Sequence, residues 1–185
     1  MTRRHGWGWL VCSVTVLLGL IGLDGARVGA AVHQAKADRI GLGAGYRPPP
    51  FSARDLSSKE HSLDEYQGTV LVLHFWASWC PYCRGEIPKL KELQEHWTSR
   101  GVRVLAISTD ENPDTLKQFV MKQELPYPII VDAQSDPSVA EQYGISGIPV
   151  TYVIAQDGRI FTRLNGSSDI LGTVERALAA SPSSS

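Results

Sequence analysis

Cysteine is scarce in this chain of 185 residues: there are three, and two of them, Cys80 and Cys83, stand three positions apart. A secreted scaffold stapled by several widely spaced disulfides is therefore excluded. Zinc needs four ligands, yet there is no second cysteine pair, and His61, His74 and His96 show no metal spacing. No metal or other cofactor is expected. No glycine-rich phosphate loop stands between a strand and a helix; Gly41-Leu42-Gly43-Ala44-Gly45 has neither flank and reads as linker. There is no internal repeat. The formal net charge is −1, which gives nucleic acid no basic surface to bind.

One long apolar run is present, and it lies at the start. Arg3, Arg4 and His5 precede Trp7 to Leu23, which ends at Asp24. A positive start followed by an apolar stretch is an export signal. Val28-Gly29-Ala30 offers small residues for cleavage after Ala30. The run is long for a cleaved signal and short for a bilayer span of about 20 residues. Residues 1–30 thus read as a signal peptide or as an uncleaved membrane anchor. Either keeps Arg3 and Arg4 in the cytoplasm and sends the rest to the periplasm or another extracytoplasmic face. Cys12 falls inside the run with no small residue before it, so it is no lipid-attachment site. The exported part keeps only Cys80 and Cys83.

Residues 31–50 read as linker ending in Pro48-Pro49-Pro50, residues 51–180 as one domain, and 181–185 as a disordered tail. Ser52 to Tyr66 suits one or two small strands. Val70 to Trp76 is nearly all apolar, as in a strand buried on both faces. A helix follows from about Pro81 to Arg100-Gly101, with Ile87, Leu90, Leu93 and Trp97 on one face and Pro88 inside to kink it. Val102 to Ile107 is a second buried strand. Asn112-Pro113 caps a helix carrying Leu116, Phe119 and Val120 inward. Ile129 to Val131 is a short strand, and Asp136-Pro137 caps a short helix to Tyr143. Val150 to Ala155 and Ile160 to Leu164 form a hairpin around Gln156-Asp157-Gly158-Arg159. A last helix points Ile170, Leu171, Val174 and Leu178 inward. Strand–helix–strand order predicts an α/β fold with parallel core pairing, and the closing hairpin makes the sheet mixed.

Two cysteines three apart at a strand-to-helix junction have a physical logic. The first meets outward-pointing N–H groups and the positive end of the helix dipole, which favour its thiolate, the nucleophile. The second lies one turn in and can attack the first to resolve a mixed disulfide. Cys80 is expected to attack and Cys83 to resolve. A purely structural disulfide is disfavoured, because so short a loop loses little entropy on closing.

Phe75-Trp76-Ala77-Ser78-Trp79-Cys80-Pro81-Tyr82-Cys83, followed by Glu86-Ile87-Pro88 and later by Gly147-Ile148-Pro149, resembles the thioredoxin superfamily. Within it the pattern is most similar to the TlpA-like, membrane-tethered thiol–disulfide oxidoreductases, including those of cytochrome c biogenesis. The resemblance covers about residues 51 to 180. It implies a thioredoxin-like fold, a central mixed sheet flanked by helices, with an N-terminal strand extension and a central helix–strand insertion from Asn112 to Val131.

The resemblance also implies a redox-active Cys80–Cys83 disulfide with Pro81 and Tyr82 between. It places Trp79 as an aromatic flank and Pro149 as a cis-proline that forms the substrate groove with Ile148. Glu86 matches an acidic residue kept near the cysteines, or is a solvated helix-face residue. His74 departs from the Asp or Asn of relatives; it either relays the proton leaving Cys83 or is a hydrogen-bonded core histidine. Tyr82 also departs from the commonest dipeptides, and Cys-Pro-Tyr-Cys recurs in glutaredoxins. The implied partners are protein thiols and disulfides, with a membrane thiol–disulfide relay as electron donor, and the implied state is a monomer. The implied function is a reductase; the alternatives are a general disulfide oxidant or isomerase, and a non-enzymatic copper-binding chaperone. A peroxidase is set aside, because its Pro-x-x-x-Thr-x-x-Cys pattern would need proline and threonine where Leu73 and Ala77 stand.

Overall fold

The computed structural model describes residues 39–166 and 169–180. The export segment, its cleavage site and the tail at 181–185 lie outside the described residues. So do residues 31–38 of the expected linker.

Among the described residues, seven strands and four α-helices follow in order: β1 (Ser52–Arg54), β2 (Glu60–Ser62), β3 (Val70–Trp76), α1 (Pro81–His96), β4 (Val102–Ser108), α2 (Pro113–Gln123), β5 (Ile129–Val131), α3 (Val139–Gln142), β6 (Val150–Ile154), β7 (Ile160–Asn165) and α4 (Ile170–Ala180). The central sheet has the order β5-β4-β3-β6-β7. β3 pairs parallel with β4 and antiparallel with β6, and β4 pairs parallel with β5. This is the mixed α/β sheet of a thioredoxin-like fold.

β3 sits in the middle, and all seven of its residues are buried. Its side chains alternate between two cores, as the period of a strand requires. Val70, Val72 and Trp76 join the core that holds α1 and α4; Leu71, Leu73 and Phe75 join the other, with Tyr143 and Tyr152. A strand covered on both faces has no polar side, which is why its sequence reads as one apolar run.

The N-terminal hairpin β1–β2 makes its own two-stranded sheet. An antiparallel bridge from Asp55 to Ile130 lays the turn of this hairpin against the edge strand β5. The Leu56 N–H donates to Ile129 O at 2.9 Å beside it. An edge strand with unpaired backbone groups is thereby covered.

Three local features differ from the sequence expectation. Residues 39–50 are joined to the domain: the Gly45 N–H donates to Ile160 O, and the Ile160 N–H donates to Tyr46 O. Glycine at 41 and 43 lets the backbone fold over the Tyr46 ring, which a Cβ would meet at 3.1 and 3.3 Å. α1 stops at His96, and a 3-10 turn (Thr98–Arg100) carries the chain to Gly101 in the left-handed region. Pro88 lies inside α1, as expected, and is exposed.

The short helix α3 is capped by Ser138 and not by Asp136-Pro137. The Asp132 carboxylate completes the cap from outside: it accepts the Val139 and Ala140 N–H groups at 2.8 and 3.0 Å and the Ser138 hydroxyl at 2.7 Å. Hydrogen bonds to a buried charged group are each worth about 1.5–3 kcal/mol. Asp132→Ala is therefore expected to destabilise the fold by at least about 2 kcal/mol in urea unfolding. A loss within about 0.5 kcal/mol, the range of a neutral surface change, would remove Asp132 as the anchor of this turn.

Candidate active site

The site forms where β3 ends and α1 begins. The chain leaves the sheet at Trp76, and four residues later Cys80 becomes the N-cap of α1. Pro81 takes the first helical position, where its fixed φ suits the helix and its missing N–H costs nothing. The Cys80 sulfur accepts the Cys83 N–H at 3.3 Å, the hydrogen bond a capping serine would accept. The backbone thus offers a donor to the Cys80 sulfur.

Cys83 lies one turn further in and is fully buried, whereas Cys80 keeps 4% of its surface exposed. Burial pushes the Cys83 thiol up to about 12. The hydrogen bond to Cys80 and the charges of Cys80 and Glu86 add to the rise, and the Ala77 backbone opposes it. At neutral pH Cys83 is a protonated thiol. The flanks are the opposite: Trp79 is 64% and Tyr82 72% exposed, large apolar surfaces on either side of the pair.

Opposite the cysteines lies Pro149, buried, with a cis Ile148–Pro149 peptide bond. Val150 pairs with Phe75, which sets Pro149 at the same end of the sheet as Cys80. Ile148 packs against the core cluster that contains both cysteines.

Glu86 is completely buried, which removes the solvated helix-face alternative. Cys83, Glu86, Leu90 and Leu93 recur at intervals of three and four, so Glu86 lies on the inward stripe of α1. That spacing was the available signal. His74 is also buried, and its Nδ1 lies 2.9 Å from the Thr151 hydroxyl. Its nearest approach to Glu86 is 3.8 Å. That contact would be an ion pair only with a charged imidazole, and burial lowers the His74 pKa to about 3. The ring is neutral at neutral pH.

A second buried carboxylate was not foreseen. Asp110, beyond the end of β4, accepts the Ser78 N–H at 2.8 Å and the Ser78 hydroxyl at 2.6 Å. It also accepts the Ser108 hydroxyl at 2.6 Å. The Arg84 side chain donates to Ser78 O at 2.6 Å. Ser78 is two residues before Cys80, so Asp110 fixes the loop that presents Cys80. The partners are 32 positions apart, and no local pattern joins them.

The family model described as the AhpC/TSA family matches residues 44–162. The chain belongs to the AhpC/TSA family. Among curated AhpC/TSA-like relatives, the thiol-disulfide oxidoreductase ResA of Geobacillus thermodenitrificans is 30% identical over 158 residues, 85% of this chain and 88% of the relative. Among solved structures, a thioredoxin-family thiol:disulfide interchange protein from Chlorobium tepidum is similar at 28% identity and a TM-score of 0.63, over 71% of this chain and 95% of that one. A secreted thiol-disulfide isomerase from Corynebacterium glutamicum is similar at 25% identity and a TM-score of 0.61, over 71% and 84% of the two chains. This AhpC/TSA member is a thiol–disulfide oxidoreductase. The positions a peroxidase would fill with proline and threonine hold Leu73 and Ala77, both fully buried.

The neutral His74 carries a pH signature. Unfolded, it binds a proton near pH 6.5; folded, only near 3. The unfolded state therefore gains the proton first, and stability falls as pH drops through that window, by up to about 1.4 kcal/mol per unit. Between pH 7 and 5, wild type is expected to lose about 2 kcal/mol more than His74→Asn in urea unfolding. Equal losses would mean that His74 is not held neutral by the fold.

Proposed function

We propose that this chain is an extracytoplasmic reductase of protein disulfides that serves cytochrome c maturation. The observation that carries the direction is Ile148 before the cis-Pro149, the residue that stands there in thioredoxin, whose potential is about −270 mV. Strong oxidants of this chemistry owe their potential to a stabilised reduced form. That stabilisation belongs to the first thiolate, so the buried, protonated Cys83 supports the order in which the two sulfurs act and not the direction of electron flow.

The reaction follows from the two environments. The Cys80 thiolate attacks one sulfur of a substrate disulfide, forms a mixed disulfide and releases the other substrate sulfur as a thiol. Cys83 then loses its proton and attacks Cys80. The substrate's second thiol leaves, and the Cys80–Cys83 disulfide remains. Two electrons have passed from the pair to the substrate. In this reading Glu86, buried on the same face of α1 one turn beyond Cys83, takes that proton. His74, neutral and bound to Thr151, acts here as a positioning residue beside Glu86. Trp79, Tyr82, Ile148 and Pro149 frame the groove in which the substrate lies.

The location rests on Arg3, Arg4 and the apolar run from Trp7 to Leu23. Among the described residues no helix is long and apolar enough to cross a membrane, so in this reading the signal or anchor is that segment. Outside the cytoplasm the oxidised pair is recharged by a membrane thiol–disulfide relay. A second reading, an isomerase, is favoured by the similarity to the secreted isomerase.

The reduction potential of the Cys80–Cys83 pair, equilibrated against dithiothreitol and read by thiol alkylation, separates the two. A reductase is expected well below about −180 mV, the value typical of isomerases. A potential at or above that value would reverse the assigned direction.

A further inference from the structure

The edge strand β7 carries a cation with no counter-charge. Arg163 is half-buried, and among the described residues its side chain makes no hydrogen bond and no ion pair. Its one assigned contact lies 5.7 Å from the centroid of the Tyr152 ring. A guanidinium has five donors in a planar fork, and partial burial without an acceptor leaves them to water or to a ligand.

The surroundings favour a ligand. Arg163 lines a hollow of about 280 Å³ together with Ser146, Gly147, Ile148, Pro149 and Asn165. No acidic side chain lines it. The hollow is continuous with the groove wall, because Ile148 and Pro149 belong to both. The Gly166 N–H donates to Pro149 O at 2.9 Å and ties the end of β7 to that wall. Glycine at 147 and 166 leaves the rim open: a Cβ built at either meets nothing within 4 Å.

We propose that this hollow receives a carboxylate of the substrate polypeptide, bound by Arg163, and that it selects substrates with an acidic group near the reactive cysteine. The assignment rests on disulfide exchange at Cys80. The spacing follows from the sheet. Cys80 stands off the end of β3, and β7 is two strands away, with β6 between. Two strand spacings are about 10 Å, which an extended chain covers in about three residues. A substrate held at Cys80 and crossing Ile148 and Pro149 sets its third residue or so at Arg163. Carboxylate and guanidinium then pair through two parallel charge-assisted hydrogen bonds.

The test uses peptides of one cysteine capped as a mixed disulfide, with both ends blocked. Each carries a single Glu, Gln or Lys at one of positions two to four on either side of the cysteine. A further peptide ends in a free carboxylate at the same distance, which separates a chain terminus from an acidic side chain as the source. With the wild-type protein, kcat/KM is expected to favour the carboxylate peptide over its Gln counterpart about tenfold at one position, mainly through KM. Arg163→Gln should abolish the preference and leave the Gln peptides unchanged; Arg163→Glu should shift it to Lys. Peptide preference in the wild-type protein can be read even where a variant fails to fold. Turnover of all peptides with no carboxylate preference at any position would overturn the proposal and leave disulfide exchange standing. No turnover of any peptide would overturn both. A uniform loss across all peptides in Arg163→Gln would reduce Arg163 to a structural role.

Discussion

One constraint governs this molecule: α1 starts directly off the end of a strand buried on both faces. The last buried residues of β3 hold the loop, and the loop delivers Cys80 to the helix N-terminus. The helix then carries Cys83 back into the core. The two sulfurs are three residues apart and differ in almost every physical respect. One receives a backbone N–H at the rim; the other is a thiol pushed up to about 12 by burial. The proposed order, attack by Cys80 and resolution by Cys83, rests on that asymmetry.

The asymmetry needs a rigid frame. Burying a carboxylate is costly unless hydrogen bonds satisfy it. Asp110 has three, all from groups that fix the loop before Cys80 or the end of β4. The His74–Glu86 neighbourhood is different. Its imidazole is neutral and committed to Thr151, and its carboxyl acts electrically on Cys83. Asp110 holds the loop before Cys80 in place, and Glu86 adds to the raised pKa of Cys83. The exposed Trp79 and Tyr82, outside this frame, are free to meet a substrate.

Much of this was legible in the chain. Periodicity reports burial directly, so the apolar run of β3 and the stripe on α1 were plain. Asn112-Pro113 announced a helix start, and its amide oxygen accepts the Asp114 and Thr115 N–H groups at 3.0 Å. The cysteine pair was visible because its chemistry depends on spacing within one turn. Three things were not visible, each for a physical reason. Asp110 and Ser78 meet only after β3 and β4 pair in parallel. Residues 39–50 look like linker because glycine and proline dominate, yet those glycines let the backbone pack on Tyr46. Arg163 looked like any polar residue on a hairpin strand; its position beside Pro149 depends on the pairing of β6 with β7.

The claim on which the account stands is the division of labour between the two sulfurs. Exposing Cys80→Ser and Cys83→Ser proteins to a disulfide-bonded protein substrate, then separating the products without reductant, tests it most directly. The account predicts that Cys83→Ser accumulates a covalent adduct, one substrate per chain, through Cys80. It predicts that Cys80→Ser forms none, because Cys83 is buried and protonated. An adduct through Cys83 at a comparable rate would contradict it.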